Sequence, residues 1–150
     1  MVRIRYVRRF TEQEVDTVNL GPTGRAGEDA ALEMLLKNGF ELVARNYQTP
    51  YGEIDLIVRD DRYVVFVEVK TRTGVSRGSG YRAVNFRKKQ KLFKTALLFL
   101  RENELTLQPR FDLIDIEGHW FVAEEKEQFA VDKMRWFKNA ITAADYGGYI

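Results

Sequence analysis

The sequence predicts an α/β domain in the order α-β-β-β-α-β, a mixed sheet flanked by helices, followed by a C-terminal helix. Three observations carry this reading. Apolar residues alternate along "FELVARNY", "GEIDLIVR", "RYVVFVEVK" and "RFDLIDIE", the period of a strand. Helical spacing recurs over Thr23–Asn38 and from about Arg82 to Asn103. The second helix lies between the third and fourth strands, which invites a crossover connection and therefore a parallel pair in a mixed sheet.

The elements follow in order. Residues 1–20 read as an arm or short edge strand, with Val2, Ile4 and Tyr6 alternating with Arg3 and Arg5; residues 21–150 read as one domain. Thr23 can cap the first helix and Gly39 can stop it. Glu28, Ala31, Leu32 and Leu35 fall on one face of that helix. Glu28 is thus a carboxylate on an apolar face, unless it merely sits in the first turn, where the helix dipole favours an acid. Phe40–Tyr47 alternates as a strand. The next two strands form a hairpin around Asp60-Asp61. A Gly/Ser/Arg loop, "TRTGVSRGSG", leads to the second helix, whose buried stripe is Phe86, Phe93, Ala96, Leu97 and Leu100. Arg110–Glu117 is the fourth strand. In "FVAEEKEQFAVDKMRWFKNAITAAD", Ala130, Met134, Phe137 and Ile141 stand at helical spacing and predict the last helix.

Composition narrows the function classes. The chain has 150 residues, no cysteine and a net charge of +2, with 45% hydrophobic residues. There is no disulfide framework and no thiolate metal site, which fits a cytoplasmic protein. No apolar run has the length of a membrane span, and "MVRIRYVRRF" lacks the apolar core of a signal peptide. Charge is unevenly spread. Between Thr71 and Arg101 there is no Asp or Glu, while Arg72, Arg77, Arg82, Arg87, Lys88, Lys89, Lys91, Lys94 and Arg101 crowd the same stretch. Such a segment suits a polyanion, or is simply a solvated helix face.

The hairpin carries the chemistry. If Asp60-Asp61 is a two-residue loop, Asp55 faces Phe66 and Glu53 faces Glu68. Glu53, Asp55, Glu68 and Lys70 then share one face, with Asp55 and Glu68 diagonal neighbours. Any even-length loop keeps that parity. Two carboxylates about 4 Å apart repel by roughly 4 kcal/mol at an effective dielectric of 20. Lys70 offsets part of this, and a divalent cation would offset more. Oxygen ligands without cysteine, in a chain whose only histidine is His119, favour Mg2+ or Mn2+ over zinc. Magnesium next to a lysine and a basic segment describes metal-dependent phosphodiester hydrolysis. The alternative is a solvated Glu-x-Lys ion pair on a strand.

The stretches "GRAGEDAALEMLLKNGFELVARNY", "YGEIDLIVRDDRYVVFVEVKTR", "AVNFRKKQKLFKTALLFL" and "RFDLIDI" together resemble the YraN-like family of uncharacterised bacterial proteins. That family is similar to the PD-(D/E)XK nuclease superfamily, which includes restriction endonucleases and Holliday-junction resolvases. The resemblance covers about Gly24 to Ile116, and "MRWFKNAI" looks like the family's C-terminal end. It implies a restriction endonuclease-like core, Asp55 and Glu68 as metal ligands, Lys70 as the catalytic lysine, and Glu28 as the helix carboxylate that completes the metal site. Glu53 belongs to the family motif, and Gln90 matches a glutamine used in some nuclease branches. Ile54 stands where the superfamily label has Pro. Residues 1–20 and Gly118–Lys133 have no counterpart.

The implied activity is that of a magnesium- or manganese-dependent DNA endonuclease or resolvase-like enzyme in repair, recombination or processing. Arg72, Arg77, Arg82, Arg87, Lys88, Lys91, Lys94 and Gln90 would meet the nucleic acid. A homodimer suits action on a branched duplex. A second reading is a non-catalytic nucleic-acid-binding or scaffolding protein that retains the fold, and a third is a module whose basic helix meets an acidic protein. Tyr47, Tyr51 and Tyr81 flank the proposed site and either stack on bases or pack. His119 in "GHWF" is either a general base or a surface or packing residue, with no acid beside it in the sequence.

Overall fold

A computed structural model describes residues 21–74 and 86–140, without the side chains of residues 86–88. The elements are α1 (Pro22–Lys37), β1 (Glu41–Thr49), β2 (Gly52–Arg59), β3 (Tyr63–Thr73), α2 (Phe86–Asn103), β4 (Gln108–Ala123) and β5 (Lys126–Phe137). The strands form a sheet in the order β1-β2-β3-β4-β5. β3 and β4 run parallel, and every other neighbouring pair is antiparallel. The α-β-β-β-α-β core, with its mixed sheet and crossover helix, is therefore present and is consistent with a restriction endonuclease-like fold.

Period-two alternation sorts the core into two layers. Val64, Phe66, Phe111 and Leu113 point to one face and pack on Leu92, Phe93, Ala96 and Phe99 of α2. Val65, Val67, Ile114 and Ile116 point to the other and pack on Ala31 and Leu35 of α1. The stripe of α2 is thus turned slightly from the expected one: Leu92 and Phe99 are buried, while Leu97 and Leu100 are only half-buried. Phe86 lies among the residues whose side chains are not described.

The cap of α1 falls two residues earlier than expected, at Gly21 rather than Thr23. Pro22 opens it after Gly21, and no side chain caps it; proline already has the helical φ and lacks a donor that would go unsatisfied there. Thr23 instead accepts the indole N–H of Trp120 at 3.0 Å. The stop at Gly39 holds, with φ of 89°. Gly27 permits the close approach of α1 to the sheet, because a Cβ there would fall 1.7 Å from Thr71 Oγ1.

The expected C-terminal helix is not formed over residues 126–137, which make the edge strand β5. Ile141 lies outside the described residues. The reason is a bulge. Gly118 pairs with Val131 but Glu117 pairs with Lys133, so Asp132 is an extra residue and the alternation changes parity across it. Phe129 before the bulge and Met134 and Trp136 after it all reach the α1 face. The resulting apolar spacing imitates a helix. Asp112 anchors this strand from within: its carboxylate accepts from Arg110 Nε and Nη2, Trp136 Nε1 and Asn139 N at 2.8–2.9 Å.

Candidate metal and nucleic-acid site

The last pair of the β2–β3 ladder encloses four residues, not two. Arg59 pairs with Val64, and Asp60 Oδ1 closes the turn by accepting the N–H groups of Arg62 (2.8 Å) and Tyr63 (2.7 Å), an Asx-type turn. Four is also even, so the parity survives. The register is shifted by two, and its continuation sets Asp55 level with Glu68 rather than on the diagonal.

The ladder ends at Leu56 and Val67. One step further, the Val69 N–H donates to Asp55 Oδ2 at 2.8 Å. A side chain thus takes the place of a backbone partner where the two strands begin to separate. Asp55 is only 7% exposed. Burial, and then the charge of Glu68, hold its carboxyl well above the ordinary range, against the bond from Val69; Glu28 and Glu53 add to the effect. Three other acids, from α1, β2 and β3, therefore act on Asp55. Lys70 Nζ lies 3.4 Å from Glu68 Oε1. Glu53 stays exposed and accepts from Gln48 Nε2 at 3.3 Å.

Glu28 occupies the second turn of α1, not the first, so the helix dipole does not explain it. It is 1% exposed. Arg45 Nε donates to its Oε1 at 3.2 Å, and Arg45 Nη2 meets Asp29 at 2.8 Å. Asn46, with its amide oriented to satisfy its donors, gives its nitrogen to both Glu28 oxygens at 3.3 Å. Asn46 has φ of 51°, a left-handed conformation that lets it and Arg45 both reach the same carboxylate. Burial raises the Glu28 pKa to about 7 even though Arg45 and Asn46 lower it. Neither Arg45 nor Asn46 stands out in the sequence. The strand period places Arg45 on a definite face, but not which face meets α1.

The donor set suits a hard divalent cation. Asp55 and Glu68 are carboxylates whose repulsion such an ion relieves, and magnesium tolerates two protein ligands because it keeps several waters. Among the described residues, no group of three or more His, Cys, Asp or Glu is arranged to hold a metal. Glu28 is held by Arg45 and Asn46.

The nucleic-acid candidates divide by position. Arg72 is half-buried at the end of β3, and Gln90 is half-buried on α2. Lys91 and Lys94 are exposed on α2, with Lys94 Nζ 6.0 Å from the centre of the exposed Tyr51 ring. Thr95 ties this stretch to the β1–β2 turn through Thr49 at 3.3 Å. Arg87 and Lys88 lie on α2 with side chains outside the described set; Arg77, Arg82 and Tyr81 lie outside the described residues altogether. Tyr47 is a packing residue, buried edge-on against Phe99 with its hydroxyl donating to Glu102 at 3.0 Å. His119 does have an acid, from the neighbouring strand: Nδ1 lies 2.8 Å from Asp132. The pair is exposed, on the distal part of the β4–β5 hairpin.

No helix among the described residues is long and apolar enough to cross a membrane. Comparison with known proteins supplies the lineage. Residues 27–116 match the model of the uncharacterised protein family UPF0102, a span that includes Glu28, Asp55, Glu68 and Lys70. A UPF0102 protein of Syntrophotalea carbinolica is 44% identical over 102 residues, covering 67% of this chain and 83% of its own. One from Legionella pneumophila is 36% identical over 122 residues, covering 80% and 94%. One from Caldanaerobacter subterraneus is 41% identical over 100 residues, covering 66% and 82%. The resemblance to the YraN-like family read from the sequence is thereby shown, and the chain belongs to the uncharacterised protein family UPF0102.

Proposed function

We propose that this protein is a divalent-cation-dependent nuclease that hydrolyses phosphodiester bonds in DNA during repair, recombination or processing. The supporting observation is the mutual placement of Asp55 and Glu68, where burial and repulsion push the Asp55 carboxyl upward, with Lys70 3.4 Å from Glu68. A fold that keeps such acids together at a strand divergence tolerates a cost that a cation removes.

Asp55 and Glu68 would hold Mg2+ or Mn2+, which supplies an acidified water and steadies charge on phosphorus when bound. Lys70, a compact point charge with three donors, orients the attacking water or a non-bridging phosphate oxygen. Water oxygen bonds to phosphorus as the P–O3′ bond breaks, leaving a 5′-phosphate and a 3′-hydroxyl. Glu28, tethered by Arg45 and Asn46, supports Asp55 from α1 without joining it. Arg72, Arg77, Arg82, Arg87, Lys88, Lys91 and Lys94 carry the flanking phosphates, and Gln90 faces the same strand.

The test is a cleavage assay with magnesium and with manganese on single strands, duplexes, flaps and four-way junctions. Cleavage should vanish in Lys70→Ala and Asp55→Asn. Equal cleavage by these variants would mark a contaminant and end the proposal. A second reading has its own support: Glu28 is already occupied by Arg45. A non-catalytic DNA-binding protein would bind DNA equally in chelator and in magnesium, and Asp55→Asn would leave that binding unchanged.

A further inference from the structure

On the α2 side of the sheet, the apolar surface stops at Phe66 and Leu113, and charged residues continue along the same faces. β3 presents Glu68, Lys70 and Arg72. β4 presents Asp115 and Glu117. The parallel register puts Asp115 directly beside Lys70, and the antiparallel register puts Arg135 of β5 directly beside Asp115. Residues paired in register share a face, so Lys70, Asp115 and Arg135 form one row across three strands. Asp115 is 3% exposed. Its Oδ2 meets Arg135 Nη2 at 3.2 Å, and the same guanidinium nitrogen reaches Glu117 at 3.5 Å. Its Oδ1 is buried and has no partner.

A buried, unpartnered carboxylate oxygen is costly, and its presence next to an active-site lysine calls for a reason. Neighbouring strands lie about 4.8 Å apart, well within the reach of a four-carbon lysine stem. Lys70 now leans on Glu68. If Glu68 gives its charge to a cation, as the nuclease reading above requires, the hold of Glu68 on the ammonium weakens. We propose that Asp115 is a positioning residue for Lys70: in the cation-loaded state its free Oδ1 takes the ammonium, while Arg135 clamps Oδ2 and fixes the carboxylate's direction. Lys70 is then held by strand β4 rather than by the metal ligand, and stays aimed as Glu68 is committed. The inference rests on the nuclease reading and adds to it a residue for which the sequence offered no sign.

The experiment uses the full chain and reads Lys70 itself. Acylation of the Lys70 amine is followed by peptide mass mapping, with and without magnesium, in the wild type and in Asp115→Asn. Without magnesium, the two proteins should differ by less than about twofold, because Glu68 holds Lys70 in both. With magnesium, Lys70 should label about fivefold faster in Asp115→Asn. Its cleavage kcat should fall about tenfold at unchanged KM and unchanged magnesium affinity. If Asp115→Asn does not fold, Arg135→Gln, at a more exposed position, carries the same expectation through a loosened Asp115. Magnesium binding with no change in Lys70 labelling overturns this inference alone and leaves Asp115 a structural partner of Arg135. Absence of magnesium binding by the wild type in calorimetry overturns the nuclease reading and this inference with it.

Discussion

Glu28→Gln should change how stability depends on pH, by an amount the structure allows one to work out. In the folded protein the Glu28 pKa rises from an ordinary 4.5 to about 7, chiefly through burial. Between those values the folded state binds more protons than the unfolded chain, so stability falls as pH rises through this window. Below about pH 4.5 the group is neutral in both states and costs nothing; above about pH 7 the full cost is present. At about 1.36 kcal/mol per pH unit, that full cost comes to a little over roughly 3 kcal/mol. Glutamine keeps the shape and an acceptor for Arg45 but does not ionise. The stability difference between variant and wild type should therefore move by about 3 kcal/mol in the variant's favour from pH 4.5 to pH 8. For a chain of this length that is roughly 6–12 °C in Tm. Asp55 titrates in the same direction in both proteins, and largely cancels in the difference; its residual coupling to Glu28 makes the figure an upper value. Urea unfolding followed by circular dichroism, in chelator at pH 4.5, 6 and 8, measures it. Parallel stability–pH curves for the two proteins would refute the claim that Glu28 is a buried acid charged at a cost.

Three further outcomes are expected. Asp55→Asn and Glu68→Gln should each abolish magnesium binding in calorimetry, yet melt in chelator at or above the wild-type temperature, since each removes a repelling charge; a variant that binds magnesium normally would contradict the site. Gly27→Ala should destabilise by about 1–3 kcal/mol or more, because its methyl group would collide with Thr71 Oγ1, and Thr71→Ala in the same chain should restore part of the loss in thermal melts; an unchanged Tm for Gly27→Ala would show that α1 does not approach β3 as described. Lys91→Glu with Lys94→Glu should weaken DNA binding and reduce the slope of log affinity against log salt by about one per lost phosphate contact; an unaltered slope in fluorescence anisotropy would remove α2 from the interface.

Much of this architecture could be read from local pattern, because burial on one face of a strand or helix leaves a periodic trace. The alternation in "GEIDLIVR" and "RYVVFVEVK" was enough to place Asp55, Glu68 and Lys70 together, even though the assumed turn was two residues too short. Parity tolerates that error; the detailed contact does not. The C-terminal strand escapes local pattern for the complementary reason. A single bulged residue, Asp132, breaks the period, and pairing with β4 outweighs what the isolated segment suggests.

What the sequence by itself determined is the order of elements from α1 to β4, the alternating faces of the central strands, the concentration of basic residues after β3 and the identity of the acids on the hairpin. These follow from short-range periodicity and charge, which each segment carries alone. Only the tertiary structure decided that α1 delivers Glu28 to Arg45 and Asn46, that Asp55 stands level with Glu68 where the hairpin opens, and that Asp115 lies beside Lys70. Each of these depends on which distant segments pack against one another, and on desolvation that exists only once they do. A carboxylate in an extended chain is an ordinary acid; the same group between a helix and two diverging strands becomes a costly charge.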